Sequence, residues 1–358
     1  MCGIYGITKK DYQLIQGYID ACAYRGPDGS DIWQDDHVTF GHNLLAITSQ
    51  PSEGKQPWIT EKGNVLIYNG EIFNYQELLT TFNFTPKTTC DTELLAHLLD
   101  TKGHDCVEHL DSMHGFAYYD RQNKTITLSR DHVGIKPLFY AEISDGIIFG
   151  SEIKGMIDHV PNARCIDEFA AAAMSYSGIN ATKHTMFTNI KKVLPGETLV
   201  YSIEHKKFVQ SQRTFITPNS NGALDNEQFR HEAHATVKMS TLGIRKFGMF
   251  LSGGLDSTLV AHELKNILGE VDSFTNEMNP NVIIGEDFNS DANCAKQFAD
   301  DIGLNHHRIE TTPNTVETYW TPAMQHMEQP VYNMSMPMYY YTNKCLSEKG
   351  VVVTMAGD

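Results

Sequence analysis

No apolar stretch in this chain of 358 residues approaches the ~20 residues that a membrane-spanning helix needs. No secretory apolar core follows Met1 either, so the sequence reads as that of a soluble protein. Basic runs are also missing. With 28 basic and 44 acidic residues the net charge is −16, which argues against a nucleic-acid surface and fits ordinary solubility. The seven cysteines (2, 22, 90, 106, 165, 294 and 345) are odd in number, scattered, and contain no C-x-x-C pair. That argues against a disulfide framework or a zinc site and fits free thiols in a reducing cytoplasm. Sixteen histidines form no H-E-x-x-H or other ligand spacing. There is no internal repeat and no low-complexity tract.

What the chain has is a cysteine directly after the initiator, in C-G-I-Y-G-I from Cys2 to Ile7. Removal of Met1 would put a thiol and a free α-amine on one residue. An α-amine titrates near ~7.7–8.0, so it can take the proton of its own thiol without a histidine. The apolar run behind it reads as a buried strand that would hold the nucleophile.

The chain divides by rhythm. Up to about Val160 it is strand-rich, with short apolar or alternating runs at Gly63 to Tyr68, His114 to Tyr119 and Thr125 to Ser129. Asp91 is placed to N-cap a helix from Thr92 to Lys102 that Gly103 stops. Turn and linker signals follow at Pro195, Gly196 and the polar stretch Thr217 to Gly222. This gives a first domain over 1–195, a connecting segment to about 224, and a second domain over 225–358.

In the second domain helices and strands alternate, which argues for a parallel sheet covered on both faces. The spacing predicts helices over 226–240, 257–268, 291–302 and 335–348. It predicts strands over 247–251, 271–275, 306–309 and 351–355, the last apolar throughout and read as central. Between the first of these strands and its helix lies S-G-G-L-D-S, Ser252 to Ser257. Gly253 and Gly254 permit a tight turn that aims backbone N–H groups at phosphate oxygens, and Ser252 and Ser257 add hydroxyl donors. The G-K-[ST] ending of a Walker loop is absent.

R-G-P-D (Arg25 to Asp28), N-G-E-I-F-N (Asn69 to Asn74) and C-D-T-E (Cys90 to Glu93), with the cysteine start, resemble the class II glutamine amidotransferases. S-G-G-L-D-S narrows the resemblance to the asparagine synthetase family, over the whole chain and in the family's order. The resemblance implies a two-domain α/β and α+β fold. A layered αββα N-terminal-nucleophile domain would be followed by a parallel-sheet domain with a pyrophosphatase-type loop. It implies Cys2 as nucleophile and Asn69 and Gly70 as the oxyanion pair, although N-G alone is a common hairpin turn. Asp91 would receive the α-ammonium of glutamine beside Glu71, and Arg25 would brace the nucleophile's loop. R-D-H-V-G-I-K-P-L-F-Y, Arg130 to Tyr140, matches the family as a structural or interdomain segment.

In the second domain Leu251, Ser252, Gly253, Gly254, Asp256 and Ser257 would contact ATP, with Asp256 on magnesium-bound pyrophosphate. The chain closes on Ala356, Gly357 and Asp358, which resemble the start of the family's second pyrophosphate segment, S-G-x-G-x-D-E, broken off partway. The implied reaction uses glutamine, aspartate and ATP with Mg²⁺, through an acyl-adenylate, and the resemblance also allows a homodimer. Alternative readings are a related amidotransferase with another carboxylate acceptor, and a non-catalytic homologue. One position departs from the family. Its H-x-R-L-S-I arginine, partner of the glutamine α-carboxylate, is replaced by Leu44 in H-N-L-L-A-I, and Lys55 is a candidate substitute.

Overall fold

The computed structural model describes residues 1–216, 222, 225–279, 289–331, 333 and 335–357. Of the predicted linker Thr217 to Gly222, only Gly222 lies within the described residues, and Asp358 lies outside them. The chain forms two units, Met1–Asn219 and Ser220–Asp358.

The first unit opens with β1 (Gly3–Ile7), α1 (Tyr12–Ala21), β2 (Gly29–Gln34), β3 (Thr39–Leu44), β4 (Trp58–Ile59) and β5 (Val65–Ile72). It continues with α2 (Tyr75–Thr81), α3 (Asp91–Lys102), β6 (Ser112–Asp120), β7 (Thr125–Arg130), β8 (Phe139–Ile143) and β9 (Gly146–Gly150). It closes with α4 (Glu168–Ser177), β10 (Lys191–Lys192), β11 (Glu197–Ser202) and β12 (Lys207–Arg213). Two six-stranded sheets result, ordered β10-β8-β9-β1-β3-β2 and β12-β11-β7-β6-β5-β4.

Alternation along each strand sorts side chains between layers. Ile4 and Phe40 meet Ile67, Ala117 and Leu128 in a core between the sheets. Tyr5 and Ile7 face the other way, onto Ile15, Tyr18 and Ile19 of α1. Leu66 and Tyr68 pack outward on Leu94, Leu95 and Leu98 of α3. The order is therefore helix, sheet, sheet, helix, as expected from the resemblance. Residues 197–213, read above as part of the connecting segment, extend the second sheet instead, because β11 pairs antiparallel with β7 from Thr198↔Ser129 onward.

The second unit contains α5 (Asn226–Met239), β13 (Phe247–Phe250), α6 (Leu255–Leu268), β14 (Asp272–Met278) and α7 (Ser290–Ile302). After these come β15 (Asn305–Thr311), α8 (Pro313–Met327), α9 (Met336–Glu348) and β16 (Val353–Met355). Its four-stranded sheet, β15-β14-β13-β16, is parallel. One face packs Met249 and Val271 against Ala261 and Leu264 of α6 and Ala295 of α7; the other packs Phe274 against Leu346 of α9. Among the described residues β16 is an edge strand, whereas its apolar sequence reads as central. The helix α8 was not expected from sequence. Thr312 and Thr315 start it with a capping box, Pro313 is its first residue, and Pro322 lies inside it.

Candidate active site

In the first unit a pocket is lined by Met1, Cys2, Leu44, Leu45, Gln56, Tyr68, Asn69, Gly70, Glu71, Cys90, Asp91, Met113 and Lys136, among others. Cys2 precedes β1, a strand paired on both sides, by β3 and by β9. Its thiol lies against the Leu45 peptide, with the Leu45 N–H donating to Sγ at 3.3 Å and the carbonyl at 3.5 Å. Burial pushes the thiol up, while the Leu45 N–H and the charges of Lys136 and Arg25 pull the other way. Burial also lowers the Met1 α-amine to about 5, so that amine is held as the free base at neutral pH. Arg25 donates from Nε to the Cys2 carbonyl at 2.9 Å and pairs with Glu152, which also takes Lys154 at 3.0 Å.

The strand β5 brings three expected residues together. Asn69 is 1 % exposed, and its Nδ2 has no hydrogen-bond partner among the described residues. The N–H groups of Tyr68 and Ile72 point away from β6, to Gln56 Oε1 at 2.6 Å and Asp91 Oδ2 at 3.1 Å. Period-two alternation puts the Gly70 N–H on that same open edge. The close approach that Gly70 permits is to its own scaffold: a Cβ there would lie 2.4 Å from the Met113 carbonyl oxygen. Glu71 has an unpartnered Oε1 and is pushed up to about 7 by burial and by the charge of Asp91.

Asp91 does not cap α3. Cys90 is the cap residue, without a side-chain bond, and Asp91 turns back to accept from the Tyr68 hydroxyl and the Ile72 N–H, each at 3.1 Å. Burial raises it to about 6 against those hydrogen bonds.

Sequence reasoning missed three contributors. Tyr68 and Gln56 hold the pocket wall through the bonds just given. Lys136 is 6 % exposed and reaches the pocket from the R-D-H-V-G-I-K-P run. Lys55, the expected substitute cation, is exposed and does not line the pocket; its neighbours Gly54 and Gln56 do, and Leu44 is there at 7 % exposure.

In the second unit the glycine loop follows β13 and opens α6. Ser257 staples it, its Oγ accepting from the Ser252 N–H at 3.2 Å and donating to the Gly254 carbonyl at 3.1 Å. No side chain caps α6, so its first N–H groups are open to an anion, with exposed Asp256 in the same turn. Gly253 adopts φ +80, and a Cβ there would meet the Ala295 nitrogen at 2.7 Å. Gly357 lies against the same helix start: its Cβ would fall 2.3 Å from the Ser257 nitrogen, which brings Ala356 and Gly357 beside the loop. Leu251 differs from expectation. Its side chain is buried with Met249 and Ala261, its N–H donates to Phe274 at 2.9 Å and its carbonyl accepts from Thr275. Among the described residues no cluster of three or more His, Cys, Asp or Glu is arranged to hold a metal, and no helix is long and apolar enough to cross a membrane.

Two layered sheets with a cysteine start in the pocket, and a phosphate-type loop in a separate parallel-sheet unit, define a two-domain architecture. The chain belongs to the glutamine amidotransferase family, whose domain matches residues 1–214, and residues 228–358 match the asparagine synthase family. It is 30% identical over 341 residues to the glutamine-hydrolyzing asparagine synthetase 2 of Bacillus subtilis (strain 168), covering 86% of this chain and 44% of that protein. Identity to the glutamine-hydrolyzing asparagine synthetase B of Escherichia coli (strain K12) is 25% over 380 residues, covering 100% of this chain and 63% of the relative. For the human glutamine-hydrolyzing asparagine synthetase it is 29% over 342 residues, covering 86% and 56%. The chain spans about half the length of the curated relatives it matches.

Proposed function

We propose that the chain carries glutamine-dependent asparagine synthesis, with ammonia released from glutamine in the first unit and aspartate activated by ATP in the second. The observation that carries this reading is the Asn69 amide, buried without a partner in the pocket that holds the Cys2 thiol. A buried unpartnered donor costs about 1–3 kcal/mol, which an arriving oxyanion would offset.

Once Met1 is removed, the Cys2 amine takes the thiol proton and the sulfur attacks the side-chain carbonyl of glutamine. The oxyanion forms between Asn69 Nδ2 and the Gly70 N–H. Ammonia leaves with a proton from the Cys2 amine, and water then cleaves the thioester to give glutamate. Asp91 and Glu71, two adjacent carboxylates held partly protonated by burial, ionise when the α-ammonium of glutamine lies between them. Arg25 fixes the Cys2 carbonyl and so the direction of Sγ.

In the second unit the open N-terminus of α6, Gly253, Gly254, Ser252 and the Ala356–Gly357 backbone would take the phosphates of ATP. Ser257 and Leu251 act from beneath, as the staple and floor of the loop. Asp256 is the carboxylate that would hold Mg²⁺, which when bound neutralises phosphate charge and needs few protein ligands. The β-carboxylate of aspartate displaces pyrophosphate from ATP, and ammonia then displaces AMP. The free thiols support a reducing, cytoplasmic setting.

The test uses the chain processed to Cys2 and glutamine labelled at the amide nitrogen. Glutamate and labelled ammonia should appear in equal amounts, and Cys2→Ala should abolish both while keeping the circular dichroism of the parent. Release that persists in the alanine variant overturns the assignment of Cys2.

A further inference from the structure

Lys136 is 6 % exposed, and its side chain lines the same pocket as Cys2, Glu71 and Asp91. A buried ammonium without a counter-charge is costly, and such groups persist where they serve an anion. Its placement is built rather than incidental. Asp131, 1 % exposed, accepts from the N–H groups of Val133 at 3.2 Å, Ile135 at 2.9 Å and Lys136 at 2.9 Å. Asp131 also bonds both backbone groups of His114, the residue that pairs with Gly70 across β5 and β6. Arg130 closes the loop from the other side, its Nε donating to the Lys136 carbonyl at 2.7 Å. A buried aspartate thus fixes residues 131–136 against the strand that neighbours the oxyanion donors, and the lysine side chain runs into the pocket from there.

The charged groups facing Cys2 are few. They are the N-terminal amine, Arg25 and Lys136, and Lys136 lines the pocket with Cys2. Those facing Lys136 are Cys2 first, then Glu71, Arg25 and Asp131. Arg25 is already paired with Glu152, and Asp131 is occupied by backbone donors. Glu71 shares the pocket and is the other anion in reach of this cation. The sulfur is the group in the pocket that the proposed reaction itself turns into an anion.

We propose that Lys136 is a positioning residue that acts through Cys2, its ammonium serving as the counter-charge of the thiolate. The inference rests on Cys2 being the reacting group, and its test does not need turnover.

The processed full-length chain is alkylated with iodoacetamide from pH 5 to 10, and the rate at Cys2 is read by peptide mass spectrometry. The exposed Cys165 and Cys294 serve as internal references. Lys136→Met should move the Cys2 profile up by about one pH unit, so that alkylation at pH 7 slows roughly tenfold. Lys136→Arg should keep the profile within about threefold of the parent, and the two reference cysteines should not move. A Cys2 profile unchanged in Lys136→Met overturns the proposal, as does a Lys136→Arg profile that follows the methionine variant. A rise in KM for glutamine at constant kcat, without a shift in the alkylation profile, also overturns it by assigning the ammonium to the donor's carboxylate.

The reciprocal measurement leaves Lys136 untouched. Coupling is mutual, so Cys2→Ala should lower the titration midpoint of Lys136, followed by ¹³Cε resonances of labelled lysine, by a similar amount. No change at Lys136 overturns the proposal independently. Absence of glutaminase activity with the alkylation shift intact would instead count against the proposed function alone.

Discussion

Arg25 donates from Nε to the carbonyl oxygen of Cys2 at 2.9 Å, while its Nη1 pairs with Glu152. The proposed nucleophile is therefore held at its backbone as well as at its sulfur, which lies against the Leu45 peptide. The remaining Arg25 nitrogen, Nη2, is buried without a partner among the described residues.

Arg25→Met should accordingly destabilise the first unit and misdirect the thiol. Removing one partner of a buried pair costs about 3–5 kcal/mol, or roughly 10 °C in Tm for a unit of this size. Burial alone would raise the Glu152 carboxyl, but Arg25 and Lys154 outweigh it and hold it below the ordinary carboxylate range. Its contribution is present above the unfolded value and is lost as pH falls through the folded one. The Tm gap between parent and variant should therefore be full at pH 7 and narrow below about pH 4, as calorimetry across pH would report.

Glu71→Gln should do the opposite. The folded carboxyl sits at about 7, above its unfolded value, so the folded state holds the extra proton between the two. Parent stability falls as pH rises through that window, and the glutamine variant lacks the penalty. The variant should be more stable than the parent by about 1–3 kcal/mol at pH 8 and no more stable at pH 4, in urea titrations at both values. Its KM for glutamine should rise roughly tenfold, since an α-ammonium would lose one charged partner.

Leu44→Arg tests the apolar position in the pocket wall. If glutamine is the donor and its carboxylate lacks a bidentate partner, the arginine should lower KM by roughly tenfold, matching about 1.5–3 kcal/mol for a charged hydrogen bond. Initial-rate kinetics at saturating and limiting glutamine would show it. An unchanged KM would mean that the carboxylate is already gripped.

Two adjacent glycines of the phosphate loop should behave differently. Gly253 has φ +80, and its Cβ would collide with backbone at Ala295, whereas Gly254 has φ −75 and only the Ser252 hydroxyl at 3.4 Å. A left-handed non-glycine residue costs roughly 1–2 kcal/mol before any clash. Gly253→Ala should weaken ATP binding at least tenfold by calorimetric titration, and Gly254→Ala by less than about threefold.

Parts of this site were legible because their signal is local. A strand, a glycine pair and a helix follow one another between residues 247 and 268, so the phosphate loop could be read without tertiary knowledge. Cys2 and its apolar strand were legible for the same reason. Asp91 was read as a helix cap because a carboxylate before a helix usually is one; the open edge of β5, which captures it, is 19 residues upstream. The run from Arg130 to Tyr140, which carries Lys136, reads from sequence as structural or interdomain, and Lys55 as the candidate cation. Only the knot around Asp131 turns Lys136 inward. Residues 197–213 lie between the turn signals at Pro195 and Gly196 and those from Thr217 to Gly222 and so read as a connection, whereas their strand pairing with β7 is set by partners some 70 residues away.

The burial of the first amine has a consequence for biosynthesis. In the finished fold Met1 is half exposed, but it lines the pocket and leads directly into β1, which is locked between β3 and β9, so a terminus held this way is trimmed more slowly than a free one. The last of these strands ends at Gly150. A ribosome adding roughly 5–20 residues each second needs about 8–30 s to get that far. Trimming and strand closure are therefore in a race during translation. Chains that lose it would fold correctly and carry no nucleophilic terminus, so slow trimming in a foreign host should yield native-looking protein with fractional activity.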